Sequence, residues 1–216
     1  MVKSLSILLA LIVAAAPLAR ADIRVEVTDP KHQPVADAVA SLTPLDATTP
    51  PALTPPANPV VISQIDEEFS PYVTAIVAGT RVSFPNRDAI QHHVYSLSKT
   101  KSFELPLYKG ETHDPLLFDQ PGVVTLGCNI HDWMSAHIVV LATPYFAKTA
   151  ADGLAPLAAV PAGRYRLEVW HPRIPKTVTR DVVIDPSDPS TQTITVTLRP
   201  DRRIRRAPDS GPVGYR

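Results

Sequence analysis

Proline accounts for 24 of the 216 residues, and its distribution limits what this chain can fold into. Proline has no backbone N–H and breaks the interior of a helix, so a chain this rich in proline offers few sites for long helices. Between the prolines, Val and Thr are frequent, and both residue types favour strands. Near the N-terminus, Ile23, Val25 and Val27 alternate with polar residues, as expected of a half-buried strand. The sequence therefore predicts an all-β protein.

Short strand-like runs recur along the chain and are separated by turn residues. We predict strands at 23–27, 38–42, 60–65, 73–84, 94–97, 122–127, 136–142, 164–169, 178–184 and 191–198. Residues 44–59 interrupt this series with six prolines in sixteen positions. Such a segment prefers an extended polyproline conformation, and we expect a linker or a long exposed loop.

The first 21 residues have the pattern of a secretory signal peptide. Lys3 precedes an almost unbroken apolar run, Leu5 to Ala16, and Ala19-Arg20-Ala21 fits a small-x-small cleavage site. The run is too short for a comfortable membrane span, and no other apolar stretch approaches that length. We therefore expect a mature chain that begins at Asp22, lies in the periplasm or outside the cell, and has no membrane span.

Charge argues against a nucleic-acid partner. Removing residues 1–21 deletes Lys3 and Arg20 and no acidic residue, which leaves 19 basic and 21 acidic residues. No large basic face is implied. The one basic run, Arg202 to Arg206, lies between prolines and glycines, so residues 200–216 are expected to form a disordered tail.

The chemistry of the chain is concentrated in one short loop, Cys128 to Met134. Cys128, His131 and Met134 supply a thiolate, an imidazole and a thioether in the spacing Cys-x2-His-x2-Met. These soft and borderline ligands favour copper over harder ions. Cys128 is the only cysteine in the chain, so it has no disulfide partner within it. With a histidine from an upstream strand, the set matches a blue-copper electron-transfer site.

Two adjacent histidines, His92 and His93, precede the strand at 94–97. Neighbouring side chains of a strand point to opposite faces, so both cannot easily reach one metal. The other histidines lie in turns or on probable strands and are weaker candidates: His32, His113, His137 and His171.

Residues 60–143 resemble a cupredoxin, the blue-copper protein family, and the loop spacing is most similar to that of amicyanin. The stretches that carry this resemblance are Gly79 to Asn86, His92-His93-Val94 and Cys128 to Met134. The resemblance implies a Greek-key β-sandwich in which His92, Cys128, His131 and Met134 bind one type 1 copper ion. It places His93 where the family usually has an asparagine that braces the ligand loop. It also implies that His131 reaches the surface through an apolar patch, for which Ile130 and Trp133 are candidates, although Trp133 is equally plausible as core packing.

The wider chain resembles the plastocyanin-like periplasmic proteins of methylamine-utilisation type, on the stretches Phe103 to Gly110, Leu126 to Met134 and Arg164 to Pro172. Its two ends look like a β-sandwich of the carboxypeptidase-regulatory type, which would be a binding or structural module. We therefore predict six segments: signal peptide 1–21, first part of a small β-sandwich 22–43, linker 44–59, copper domain 60–143, second part of that sandwich 144–199, and tail 200–216.

We expect an electron carrier that is not an enzyme. Cys128 is flanked by Gly127 and Asn129, so the histidines that relay electrons in multicopper oxidases are missing. A single cysteine also rules out a two-copper centre bridged by two thiolates. The expected partner is a redox protein, such as a dehydrogenase or a cytochrome c, in transient contact near His131. The alternative is an accessory or adaptor β-sandwich that binds copper without a redox role, or binds no metal.

Overall fold

The computed structural model describes residues 19–46, 49–110, 113–188 and 191–201, and the statements below concern these residues. They form seventeen strands and contain no helix, which confirms the all-β prediction. The strands are β1 (Arg20–Thr28), β2 (Val39–Pro44), β3 (Val60–Val61), β4 (Ser63–Ile65), β5 (Glu68–Ser70), β6 (Val73–Val77), β7 (Thr80–Ser83), β8 (His92–Ser98), β9 (Lys101–Tyr108), β10 (Leu116–Phe118), β11 (Gly122–Gly127), β12 (Ser135–Leu141), β13 (Phe146–Lys148), β14 (Leu154–Pro161), β15 (Gly163–Trp170), β16 (Val178–Ile184) and β17 (Thr191–Thr195).

The two ends of the chain share one sandwich, which we call the flanking sandwich. One sheet has the order β14-β1-β17, and the other has the order β13-β2-β15-β16. The N-terminal strands β1 and β2 are therefore interior strands whose neighbours all come from the C-terminal part of the chain. This is the second small sandwich expected from the sequence, with seven strands where the sequence indicated five.

The middle of the chain forms a second sandwich, which we call the central sandwich. Its larger sheet has the order β6-β12-β11-β8-β9, and it faces smaller sheets with the orders β10-β7-β3 and β4-β5. Pro106 lies on β9, an edge strand that pairs only with β8 in this sheet. An edge strand tolerates a residue that cannot donate to the ladder. The sequence analysis had predicted no strand there.

Each sandwich buries a core of its own. The flanking core contains Val25, Leu42, Leu157 and Leu167, all of which are at most 2% exposed. The central core includes Phe118 and Leu126 and extends to Cys128 and Met134. A third, smaller cluster of Val39, Val73 and Val139 joins the two sandwiches, with Trp170 packed against it. The loop from Cys128 to Met134 is thus anchored in the central core.

The sequence patterns do not predict five of the strands: β5, β9, β10, β13 and β14. Three of them have only three residues, too few to show an alternating pattern. In the proline-rich stretch, Pro51, Leu53 and Pro55 are half-buried at alternate positions, and the Pro55 ring packs against Gly79. The stretch is therefore extended, as expected, but it lies partly against the protein instead of being fully exposed.

Most of the predicted signal peptide and most of the basic tail lie outside the described residues. Within the described part of the chain, no helix has the length and apolar character needed to cross a membrane. The six-segment division of the chain remains a prediction.

Candidate metal centre

The candidate centre is assembled from the ends of two strands in the five-stranded sheet. His92 is the first residue of β8, and Cys128 directly follows β11. The loop after Cys128 turns back on itself, because the Met134 N–H donates to the His131 carbonyl and the Cys128 N–H donates to the Met134 carbonyl. Strand β12 then leaves the loop and pairs with β11. The strand ends therefore fix both ends of the ligand loop.

Three of the four predicted ligands converge on one point. The Nδ1 atom of His92 lies 3.9 Å from Cys128 Sγ, and the Nδ1 atom of His131 lies 3.8 Å from the same sulfur. One donor atom from each residue lies within 4.8 Å of the other two. Residues 36 positions apart in sequence, His92 and Cys128, thus share one small buried site.

Met134 belongs to the central core, as Cys128 does, and is 2% exposed. Cys128 is 3% exposed, and His92 is fully buried. His131 is the more accessible imidazole, with 13% of its side chain exposed. Its ring lies 4.9 Å from that of His92 and 5.1 Å from that of Trp133, centroid to centroid.

His92 is held on its far side by Asp88, a residue that the sequence analysis did not single out. His92 Nε2 lies 2.6 Å from Asp88 Oδ2, and the Asp88 side chain is 12% exposed. A carboxylate only accepts hydrogen bonds, so Nε2 carries the proton and donates it. In a neutral imidazole, Nδ1 then presents its lone pair toward Cys128.

Asp88 also accepts hydrogen bonds from two backbone amides of the β4–β5 hairpin. The Asp66 N–H donates to Oδ1 at 2.6 Å, and the Glu67 N–H donates to Oδ2 at 3.0 Å. Burial acts to raise the pKa of the Asp88 carboxyl, but the bonds from Glu67, His92 and Asp66 outweigh it, so the pKa lies below its ordinary value. Asp88 is therefore a carboxylate at neutral pH.

The Nε2 edge of the His131 ring is less exposed to solvent than the resemblance implied. Its Nε2 atom lies 4.0 Å from Glu67 Oε2, so the β4–β5 hairpin reaches over this side of the loop. Ile130 is 47% exposed, as expected of a surface patch residue. Trp133 is half-buried and packs against the central core, in line with a packing role.

His93 points away from the candidate centre, as the alternation of a strand requires. Its Nε2 atom lies 2.9 Å from Glu104 Oε1 on β9, and its ring stacks on Tyr95. Its Nδ1 atom has no hydrogen-bond partner among the described residues, so His93 does not brace the ligand loop as the resemblance suggested. Asn86 braces a different loop. The Asn86 amide donates to the carbonyls of Ile90 and Tyr108, and its oxygen accepts from the Asp88 N–H. Asn86 thereby fixes the loop that carries Asp88.

A buried polar group lies behind this loop. The Gln64 amide donates to the Phe84 carbonyl at 2.9 Å and to the Tyr108 hydroxyl at 2.5 Å, and that hydroxyl donates to the Phe84 carbonyl. Burial raises the pKa of Tyr108 to about 12, and the nearby Cys128 adds to the shift. No sequence signal marked Gln64, because an isolated glutamine is common on strands.

The remaining histidines lie away from the three converging side chains. His137 on β12 packs against the rings of Tyr72 and Trp170, and His171 accepts a local bond from the Arg173 N–H at 3.1 Å. His113 is exposed and contacts the Tyr108 ring, and His32 lies in an exposed turn.

The donor atoms suit a metal ion. Typical bonds of about 2.3 Å to sulfur and about 2.0 Å to nitrogen place those two atoms roughly 3.6–3.8 Å apart. The sulfur–nitrogen distances of 3.8 and 3.9 Å are close to that range. Thiolate and imidazole donors suit copper. These donor atoms are almost fully enclosed.

No protein-family model matches this chain. No curated protein matches it either. Among solved structures, a purple cupredoxin from Nitrosopumilus maritimus is 22% identical over 38% of this chain and 99% of its own, with a TM-score of 0.34. A reduced mutant of amicyanin is 21% identical over 47% of this chain and 98% of its own, with a TM-score of 0.37.

A copper-containing nitrite reductase, NirK from Thermus scotoductus SA-01, is 26% identical over 54% of this chain and 28% of its own, with a TM-score of 0.37. The solved structures that are similar to part of this chain thus include cupredoxins, the family that its sequence resembles. The chemical argument rests on the geometry of His92, Cys128 and His131.

Proposed function

We propose that this protein is a type 1 copper protein that carries single electrons in the periplasm or outside the cell. The observation that carries the proposal is the convergence of His92 Nδ1 and His131 Nδ1 on the sulfur of the only cysteine. His92, Cys128, His131 and the thioether of Met134 would hold the copper ion. When bound, copper supplies a one-electron redox couple.

The protein's own groups prepare this site. The strand ends fix Cys128 and His92, because β11 and β8 are interior strands of one sheet. Asp88 holds the proton of His92 on Nε2 and keeps Nδ1 available. Burial of the sulfur excludes water and protects the thiol from oxidation, and a fixed donor set lowers the reorganisation that accompanies a change in metal charge.

An electron carrier is favoured over an enzyme by the closed donor set and by the neighbours of Cys128. Gly127 and Asn129 flank the cysteine and have no side chain that relays electrons to a second metal. We propose a transient redox partner, such as a dehydrogenase or a cytochrome c, that docks near His131 and the exposed Ile130. Small contact areas are typical of such encounters.

The test is an absorption and electron-spin-resonance spectrum of residues 22–216 after addition of Cu(II). An intense thiolate-to-copper band in the visible range is expected, and Cys128→Ser should abolish it. Ser63→Ala, which alters a hydroxyl outside the donor set, is a control that should keep the band. A colourless protein that binds no copper would contradict the proposal.

A second candidate is an accessory module in which the flanking sandwich docks a partner and the central sandwich has no redox role. It is favoured by the separate core of the flanking sandwich, which is at least as extensive as the central core. Cys128→Ser separates the two candidates once a partner is known. An adaptor keeps its partner binding in that variant, whereas an electron carrier loses its activity.

A further inference from the structure

Each imidazole that faces Cys128 has a carboxylate at its other ring nitrogen. Asp88 Oδ2 lies 2.6 Å from His92 Nε2, and Glu67 Oε2 lies 4.0 Å from His131 Nε2. Both carboxylates are largely enclosed, with 12% of the Asp88 side chain and 20% of the Glu67 side chain exposed. Two negative charges in such surroundings are poorly screened by salt.

The two carboxylates are tied together by the tip of the β4–β5 hairpin, Asp66 and Glu67. Both residues have positive φ angles, 55° and 61°. Two-residue hairpin tips with this backbone favour Asn, Asp and Gly, so Glu67 needs support from its surroundings. The Asp88 carboxylate stabilises this tip by accepting both of its backbone N–H groups. The same turn therefore places Glu67 beside His131 and holds Asp88 beside His92.

We propose that Asp88 and Glu67 are positioning residues that bias the candidate centre toward the higher charge of its metal and so lower its reduction potential. This inference rests on the proposed copper function. One thiolate and two neutral imidazoles around Cu(II) carry a net charge of +1, which falls to zero on one-electron reduction. Fixed negative charges at both imidazoles favour the more positive state, since opposite charges attract more strongly in a poorly solvated site.

The two residues should differ in strength. Asp88 makes a direct charge-assisted hydrogen bond to a fully buried ring, so it increases the basicity of His92 as well as supplying charge. Glu67 lies beyond hydrogen-bond distance of a more exposed ring, so it acts through charge alone. We expect Asp88 to have the larger effect on the potential and Glu67 a smaller effect in the same direction.

The experiment compares Asp88→Asn, Glu67→Gln and their double mutant, each of which removes charge with little change in shape. Glu104→Gln is the control for loss of an exposed carboxylate: it removes a 71% exposed side chain that lies 2.9 Å from His93, an imidazole that faces away from the site. Asp88→Ala removes the hydrogen bond as well. The measurements are a redox titration of the copper-loaded protein and competition titrations of Cu(II) and Cu(I) against chelators.

For Asp88→Asn, the ratio of Cu(II) to Cu(I) affinity should fall at least tenfold, which is a rise of about 59 mV in the midpoint potential. Glu67→Gln should lower the ratio two- to fivefold, and Glu104→Gln should leave it within about twofold of the wild type. Asp88→Ala should weaken Cu(II) binding about 10- to 100-fold. If Asp88→Asn does not fold, the affinity ratio of Glu67→Gln alone tests the inference. That variant keeps the hydrogen bond from the backbone N–H of residue 67 to Asp88.

Unchanged ratios in both charge-removing variants would overturn the inference, and so would an equal shift in the Glu104→Gln control. In either case a normal thiolate-to-copper band in the wild type leaves the proposed function standing. A wild-type protein without that band would overturn the function and this inference together.

Discussion

Met134 is a residue for which burial alone does not distinguish packing from metal binding. Its side chain belongs to the central core and is 2% exposed, yet its backbone closes the loop that carries Cys128 and His131. A thioether fills irregular core gaps and is also a soft ligand. The two roles can be separated with a residue that packs like Met but lacks sulfur.

We predict that Met134→Leu leaves the free energy of unfolding within about 1.5 kcal/mol of the wild type, because the swap nearly conserves volume. In the copper-loaded protein the same change should raise the midpoint potential and alter the visible band, because a thioether that ligates the metal would tune both. Urea unfolding and a redox titration measure the two effects. An unaltered potential and spectrum would make Met134 a core residue only.

Tyr108 makes the stability of the protein depend on pH in the alkaline range. Burial raises its pKa to about 12, so the folded protein keeps the phenolic proton at pH values where an unfolded chain has lost it. We predict that the contribution of Tyr108 to stability is complete below pH 10.0 and falls as the pH rises toward 12.

Melting temperatures measured between pH 8 and 12 report this loss of stability. In Tyr108→Phe the melting temperature should fall less steeply as the pH rises. Part of the slope should remain, because burial also raises the pKa of Tyr165 in the flanking sandwich. An identical slope in Tyr108→Phe would contradict the assignment.

At the scale of strands and turns, Gly153 is required by the turn that precedes β14. Its φ angle is +76°, and a Cβ atom there would lie 2.7 Å from the Val27 carbonyl oxygen on β1. That contact is with backbone, so it cannot be relieved by rotating a side chain. Gly110 also has a positive φ, +82°, but a Cβ atom there would meet nothing within 4 Å.

We predict that Gly153→Ala lowers the free energy of unfolding by about 2–4 kcal/mol, from backbone strain and from overpacking. Gly110→Ala should lower the free energy of unfolding by only about 1 kcal/mol, because the positive φ angle is its only penalty and no steric contact is added. Urea unfolding of both variants checks the difference. Equal losses would show that the contact with Val27 relaxes freely.

At the scale of the whole molecule, the chain leaves the flanking sandwich after β2 and returns to it at β13. Both N-terminal strands pair with C-terminal strands, so residues 22–43 have no sheet of their own. The connection passes through the proline-rich stretch, where Ala52 and Thr54 are exposed. We propose the division into flanking and central domains on this basis.

We predict that a protease that cuts within residues 49–59 produces two fragments that stay together in gel filtration under native conditions. The β1 and β2 ladders hold the fragments together, and the joining cluster around Val39 and Val73 adds apolar contact. Denaturing electrophoresis shows the cut, and native elution shows the association. Release of a stable fragment of residues 22–60 would contradict the proposed domain organisation.

Patterns that lie within a few residues of one another were readable from the sequence. Alternation in β1 predicted that strand because the period of two is a property of the strand itself. The Cys-x2-His-x2-Met spacing predicted the donor set because three soft ligands in seven residues are rarely needed for packing alone. Three-residue strands such as β10 were missed because they are too short to show alternation, and β10 pairs with β7, a strand distant in the sequence.

The sequence by itself determined that this protein is all-β and that Cys128, His131 and an upstream histidine are its candidate metal donors. The resemblance had assigned His92 as the ligand, and the structure shows that His92 and not His93 faces the sulfur. Only the tertiary structure showed that Asp88 and Glu67 stand behind the two imidazoles. The physical reason is that donor chemistry and strand period are local, whereas carboxylates are common along the chain. Which carboxylate meets an imidazole depends on how the β4–β5 hairpin turns back over the site.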